Sequence, residues 1–141
     1  MTELSSSWVE GMQMKAKIDE HELIFDALED KGGSNTGPSP MKVLLASLMG
    51  CTIMDVVYIL RKMRQDFTSV DVVITNLERA DEHPKVYTKI HLVFKIKGNN
   101  LKENKVREAV NLSQSKYCSV SAMLASTAAI TYDVEIEGTN A

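Results

Sequence analysis

The amino-acid sequence predicts an α+β domain with its elements in the order ββαββααβ. Three observations carry that expectation. A long uncharged run follows a cluster of turn-forming residues, one stretch of fourteen residues alternates apolar and polar side chains, and no repeat or change of composition divides the 141 residues. A chain of this length is expected to form one domain, residues 1–141, and to bury a core without disulfides or a structural metal.

Residues 12–18 (MQMKAKI) and 21–28 (HELIFDAL) are two short runs divided by Asp19 and Glu20, the pattern of a hairpin. KGGSNTGPSP, residues 31–40, is the one cluster of turn formers and reads as a loop. Ser39 then caps a helix, and Pro40 takes its first position, where a missing N–H costs nothing. That helix is expected from Pro40 to about Met63. Val43, Leu44, Ile53, Met54, Val57 and Leu60 spread over a broad apolar surface, while Arg61, Lys62 and Arg64 bring positive charge to the end where the dipole favours it. So wide a stripe calls for cover on several sides and points to a partner subunit. Gly50 offers a break in the rod, and a break there sets Cys51 in the first turn of a second segment, facing free backbone N–H groups.

Residues 70–80 (VDVVITNLERA) and 85–98 (KVYTKIHLVFKIKG) read as an antiparallel hairpin around Asp81 to Pro84. In the second run Val86, Thr88, Ile90, Leu92, Phe94 and Ile96 alternate with a mostly polar set, so one face is apolar. A turn is expected at Gly98, Asn99 and Asn100. LKENKVREAVNLSQSKY then has helical spacing through Val106, Val110 and Leu112. A short helix, SVSAMLASTAA, and a last strand with Ile130, Tyr132, Val134 and Ile136 on one face complete the order.

Composition removes several functions. A formal net charge of −3, with scattered basic residues, gives no footprint for nucleic acid. The uncharged run VLLASLMGCTIM, residues 43–54, is shorter than the roughly 20 residues of a membrane crossing. The first residues lack the pattern of a secretory signal, so a cytoplasmic protein is expected, with no membrane partner. His21, His83 and His91 fall on different elements, and no Cys-x-x-Cys or His-x-x-x-His occurs, so spacing assigns no metal. No nucleophile elbow, phosphate loop or dinucleotide fingerprint is present, and no cofactor is expected.

Cys51 and Cys118 remain. A free cysteine is usually buried packing. Against that, Cys118 stands at the start of a helix, where a thiol pKa is lowered, and Cys51 gains the same help if Gly50 breaks its helix. In the cytoplasm the two would pair only transiently. Asp55 shares a helix face with Cys51. It is either a carboxylate beside the thiol or half of an ion pair with a lysine or arginine across an interface. Arg79, beside Glu82 and His83 at the hairpin turn, is either a cation for the site or part of a solvated face.

Three segments, GPSPMKVLLASLMGC (37–51), ERADEHPKVYTKIHLVFKIKG (78–98) and SKYCSVSAML (115–124), carry a resemblance to the OsmC/Ohr family of thiol-dependent hydroperoxide reductases. The chain looks closest to the OsmC-like branch with Ser-Pro-Met before the central helix. The resemblance implies an intertwined homodimer with curved antiparallel sheets around long central helices. It also implies roles: Cys51 peroxidatic, Cys118 resolving, a hydroperoxide as substrate and an external thiol as reductant, in oxidative or osmotic stress defence. Two family positions differ. No arginine precedes Arg61, the early strands carrying Lys15 and Lys17, and Met41 stands at the place of the family's helix-start glutamate. Lysine lacks the planar fork of arginine. The alternative expectation is therefore a non-catalytic module of the same fold that holds a small ligand or electrophile near Cys51.

Overall fold

The computed structural model describes residues 3–139, which divide into two compact units, the first ending at Ala46 and the second beginning at Ser47. The first unit is a three-stranded antiparallel sheet of β1 (Leu4–Glu10), β2 (Gln13–Ile18) and β3 (His21–Phe25). The expected hairpin is β2–β3, turning where Asp19 adopts a left-handed φ of 55°. β1 was not expected. Its LSSSWVE has no alternation to signal a strand, and pairing with β2, Trp8 opposite Met14, makes it one.

The second run also ends earlier than expected, at Phe25. Asp26 turns instead into the loop, where its carboxylate accepts the Thr36 hydroxyl at 2.6 Å and the N–H groups of Thr36, Ala27 and Ser34. These bonds, the Thr36 hydroxyl foremost, lower its pKa to about 2 although burial pushes the other way. A chain segment rich in Gly, Ser and Asn has few apolar side chains to hold it. Here one buried carboxylate organises it.

α1 (Pro40–Lys62) begins as the sequence predicts, with Lys42 N–H donating to the Ser39 side chain at 3.4 Å. It runs through Gly50 without a break. One glycine costs a helix only about 1 kcal/mol, and the flanking residues favour the helix. By length and composition alone, this helix would be able to cross a membrane. One stripe of it is core: Leu48, Thr52, Val56 and Leu60 are fully buried, and Asp55 is hydrogen-bonded.

In the second unit β4 (Asp66–Arg79), β5 (Tyr87–Leu101) and β6 (Ala129–Thr139) form a sheet in that order. Ile90, Leu92, Phe94 and Ile96 of β5 are buried, the face that the alternation predicts. Nearer the hairpin the phase slips: Tyr87 is buried and Thr88 exposed, beyond register shifts at Thr75, Glu78 and Arg79. The expected turn at Gly98–Asn100 is also strand. The ladder with β4 reaches Asn99, and β5 ends at Leu101. Gly98 permits this, because a β-carbon there would meet the Asp66 carbonyl at 2.3 Å.

β4–β5 is antiparallel, but β5–β6 is parallel, which corrects the expectation of antiparallel sheets. A parallel return needs a long crossover. α2 (Glu103–Leu112), a π-helical turn (Ser113–Tyr117) and α3 (Ser119–Leu124) supply it. α2 packs on β5 and β6 with Val106, Ala109 and Val110 buried. His91 ties the parallel pair, with Nδ1 2.6 Å from Thr131 Oγ1 and Nε2 2.9 Å from Asp133 Oδ2. The crossover is the element that matters for chemistry, because it carries Cys118.

Candidate active site

Cys51 and Asp55 lie one turn apart on α1, so their side chains leave the same helix face. Cys118 lies far away in sequence, at the junction between the π-helical turn and α3. The fold brings all three together. The two sulfurs and an Asp55 carboxylate oxygen lie within 4.8 Å of one another. Chain spacing could not reveal this group, because its third member arrives with the crossover.

The presentation of Cys118 is specific. Its N–H donates to the Ser113 carbonyl at 2.8 Å, closing the π-helical turn. Its backbone is then extended, φ −73° and ψ 103°, and its sulfur caps α3 by accepting the Ser121 N–H at 3.3 Å. Ser113, fully buried, donates its hydroxyl to Asp55 Oδ2 at 3.1 Å. Ser121 donates its own hydroxyl to Gln114 Oε1 at 3.2 Å, and Gln114 Nε2 is buried without a hydrogen-bond partner among the described residues. Sequence reasoning passed over Ser113, Gln114 and Ser121, reading SQSKY as an ordinary helix end. The π-helical turn carries Ser113 to Asp55 and Gln114 to the Ser121 hydroxyl.

The electrostatics differ from expectation. Cys118 does stand at a helix start, yet its pKa is pushed up to about 11. Burial is the largest cause. The Ser121 N–H pulls downward, while Cys51 and Asp55 add to the rise. A six-residue helix supplies one good donor, too little to offset loss of water. For Cys51 the expected help is absent because Gly50 leaves α1 unbroken, so no free N–H groups of a helix start face it. Cys51 is partly accessible and Cys118 is 2% exposed. The two thiols are thus unequal: Cys51 is the more accessible, and burial favours the protonated form of Cys118.

Asp55 has Ser113 as its partner among the described residues. Arg79 sits at the hairpin end of β4, where its Nε donates to the Lys85 carbonyl at 2.9 Å and its guanidinium lies 5.5 Å from the centre of the Tyr87 ring. Its described contacts stay within that hairpin. Lys15 and Lys17 make exposed ion pairs with Glu22 and Glu3 at 3.8 and 3.5 Å.

The α+β unit with a parallel return thus brings a helix-borne cysteine beside a second one on the crossover. Residues 32–133 match the family described as OsmC-like protein, and the chain belongs to that family, as the resemblance implied. It is 38% identical over 130 residues to Protein YhfA of Escherichia coli (strain K12), a match spanning 92% of this chain and 93% of YhfA. Among solved structures it is similar to an OsmC-like protein from Mycoplasma pneumoniae, with a TM-score of 0.81 and 17% identity over 96% of each chain. It is also similar to an organic hydroperoxide resistance protein from Elizabethkingia anophelis, with a TM-score of 0.66 and 12% identity over 99% of this chain and 98% of that one. At those identities the likeness is one of fold.

Proposed function

We propose that this protein is a thiol-dependent peroxidase that reduces organic hydroperoxides through Cys51 and Cys118. One observation carries the reading: two thiols remote in sequence meet within 4.8 Å, one of them partly accessible. The Cys51 thiolate attacks the distal peroxide oxygen, the O–O bond breaks, and the alcohol leaves with a proton. Asp55, next to both sulfurs, is placed to carry that proton from the thiol. Cys51 is left as a sulfenic acid. Cys118 then attacks its sulfur, water departs, and a disulfide forms. An external dithiol reduces that bond by exchange and is itself oxidised.

The same proposal includes a homodimer in the cytoplasm, acting in oxidative or osmotic stress defence. In the first unit Leu4, Trp8, Val9 and Met12 are exposed in the single chain. On α1, Met54 and Tyr58 are exposed as well. A second copy covering these residues removes that apolar surface from water.

Peroxide consumption with a dithiol reductant tests the reaction. Native protein turns over and Cys51→Ser does not, while Cys118→Ser oxidised by one equivalent of peroxide without reductant accumulates the Cys51 sulfenic acid in place of the disulfide. Equal rates for native protein and Cys51→Ser defeat the proposal. The second reading, a binding module for a small ligand or electrophile, is favoured by Met41 in place of the family glutamate and by the lack of an arginine before Arg61. Adduct formation at Cys51 without peroxide consumption supports it.

A further inference from the structure

The three groups that the peroxidase reading uses also have the ligand chemistry of a metal site. Two sulfurs and a carboxylate oxygen converge from two rigid elements, α1 and the start of α3, within 4.8 Å of one another. We infer that reduced Cys51 and Cys118, with Asp55, form a binding site for a zinc-class divalent ion.

Geometry supports it first. Zinc–sulfur bonds are about 2.3 Å, so two sulfurs on one tetrahedral ion stand roughly 3.8 Å apart. The three ligand atoms all lie within 4.8 Å of one another, so modest side-chain rotation brings them onto a common ion. Cys51 and Asp55 at i and i+4 act as a chelate on one helix face, the spacing that places two ligands toward a common point.

Ligand chemistry then selects the ion. Two soft thiolates with one carboxylate suit zinc or cadmium, not calcium or magnesium, which take oxygen sets. Two thiolates and a carboxylate sum to −3, which a divalent cation largely neutralises in a poorly hydrated place. Binding exchanges the two thiol protons for the ion, releasing both to the buffer.

The outer contacts are also in place. Ligating carboxylates and thiolates are normally held by hydrogen bonds. Ser113 holds Asp55 through a 3.1 Å hydrogen bond to Oδ2, and the Ser121 N–H points at the Cys118 sulfur at 3.3 Å. Three protein ligands leave a fourth position open, as in exchangeable rather than closed structural zinc sites. The ion and the disulfide require the same sulfurs, so they exclude each other. A bound ion would hold both thiols reduced and unreactive.

The inference needs only reduced thiols, so it stands apart from peroxide turnover. The test is titration of the full-length reduced protein with Cd²⁺, read by thiolate-to-cadmium charge-transfer absorption, with Zn²⁺ affinity measured against a chromogenic chelator. The expected result is one ion per chain, about half the charge-transfer intensity in Cys118→Ser, and roughly 10–100-fold weaker Zn²⁺ binding in Asp55→Asn. No charge-transfer absorption in folded reduced protein, or equal intensity in Cys118→Ser, overturns it. A second measurement on native protein avoids variants that fold poorly: Zn²⁺ should protect both Cys51 and Cys118 from alkylation, mapped by mass spectrometry. Protection of one alone, or of neither, also overturns it.

Discussion

Ser113 donates its hydroxyl to Asp55 at 3.1 Å, joining the crossover to the central helix immediately beside the two thiols. The serine does this from full burial, and its own carbonyl holds the Cys118 N–H at 2.8 Å. One residue therefore places both the carboxylate and the second sulfur. Ser113→Ala keeps the backbone contact but strips the carboxylate of its described donor. A hydrogen bond to a charged group is worth about 1.5–3 kcal/mol when lost, and partial exposure of Asp55 sets the expectation at the lower end. The urea midpoint should fall by the equivalent of about 1–2 kcal/mol with an unchanged slope. A midpoint equal to that of the native protein shows that water replaces the hydroxyl without cost.

The thiols should be separable by reactivity. Burial, with Cys51 and Asp55 adding to it, holds Cys118 at about 11, up from 9.0. Only the thiolate is nucleophilic. Alkylation of Cys118 in the folded reduced protein should accelerate about tenfold per pH unit through the neutral range and above, in line with its thiolate fraction. Cys51, being accessible, should be modified first. The stability consequence has the same origin. The folded state keeps the Cys118 proton to a higher pH than the unfolded chain does, so stability declines as pH rises from 9.0 toward about 11. Peptide mapping after timed alkylation, with denaturant melts over the same range, checks both. Rapid modification of Cys118 at neutral pH contradicts the burial account.

At the acid end Asp26 dominates the prediction. Its pKa of about 2, against 3.8 for a free side chain, means that the unfolded state takes up the proton first. Its stabilising contribution is complete above 3.8 and is lost as pH falls toward about 2. Asp26→Asn should lower the melting temperature at neutral pH, since an amide cannot accept from four donors as a carboxylate does, and should flatten the acid limb of the stability profile. The Thr36 hydroxyl is the largest single cause, so Thr36→Val should reproduce part of both effects. An unaltered acid limb in Asp26→Asn rules out this carboxylate as its source.

Much of this was legible from local pattern. The helix start at Ser39–Pro40, the buried phase of Ile90 to Ile96 and the last strand's apolar face all follow from turn chemistry or side-chain period. The features that escaped depend on partners remote in sequence. Leu4–Glu10 is a strand because β2 pairs with it, and β6 returns parallel because the crossover is long enough. Gly50 carries a helix-breaking tendency that twenty-two helical neighbours overrule. The resemblance points to the two cysteines, and Cys118 does stand at a helix start, but its thiol pKa is raised there and not lowered. Helix-start position is visible in sequence, whereas the burial that outweighs it at Cys118 is not.

The proposed homodimer yields a sharp test on α1. Met54 is 74% exposed and Tyr58 62% exposed in the single chain, and at i and i+4 they form one apolar ridge. In an isolated chain Met54→Glu swaps one exposed side chain for another, and surface changes of that kind stay within about 0.5 kcal/mol. At a subunit boundary it buries a charge without a partner, which costs several kcal/mol. Native protein should therefore sediment as a dimer and Met54→Glu as a folded monomer with native-like far-ultraviolet dichroism. Since Cys51, Asp55 and Cys118 all come from one chain, the monomer should still form the Cys51–Cys118 disulfide on oxidation. A native protein that sediments as a monomer at micromolar concentration removes the dimer from the proposal and leaves the thiol pair untouched.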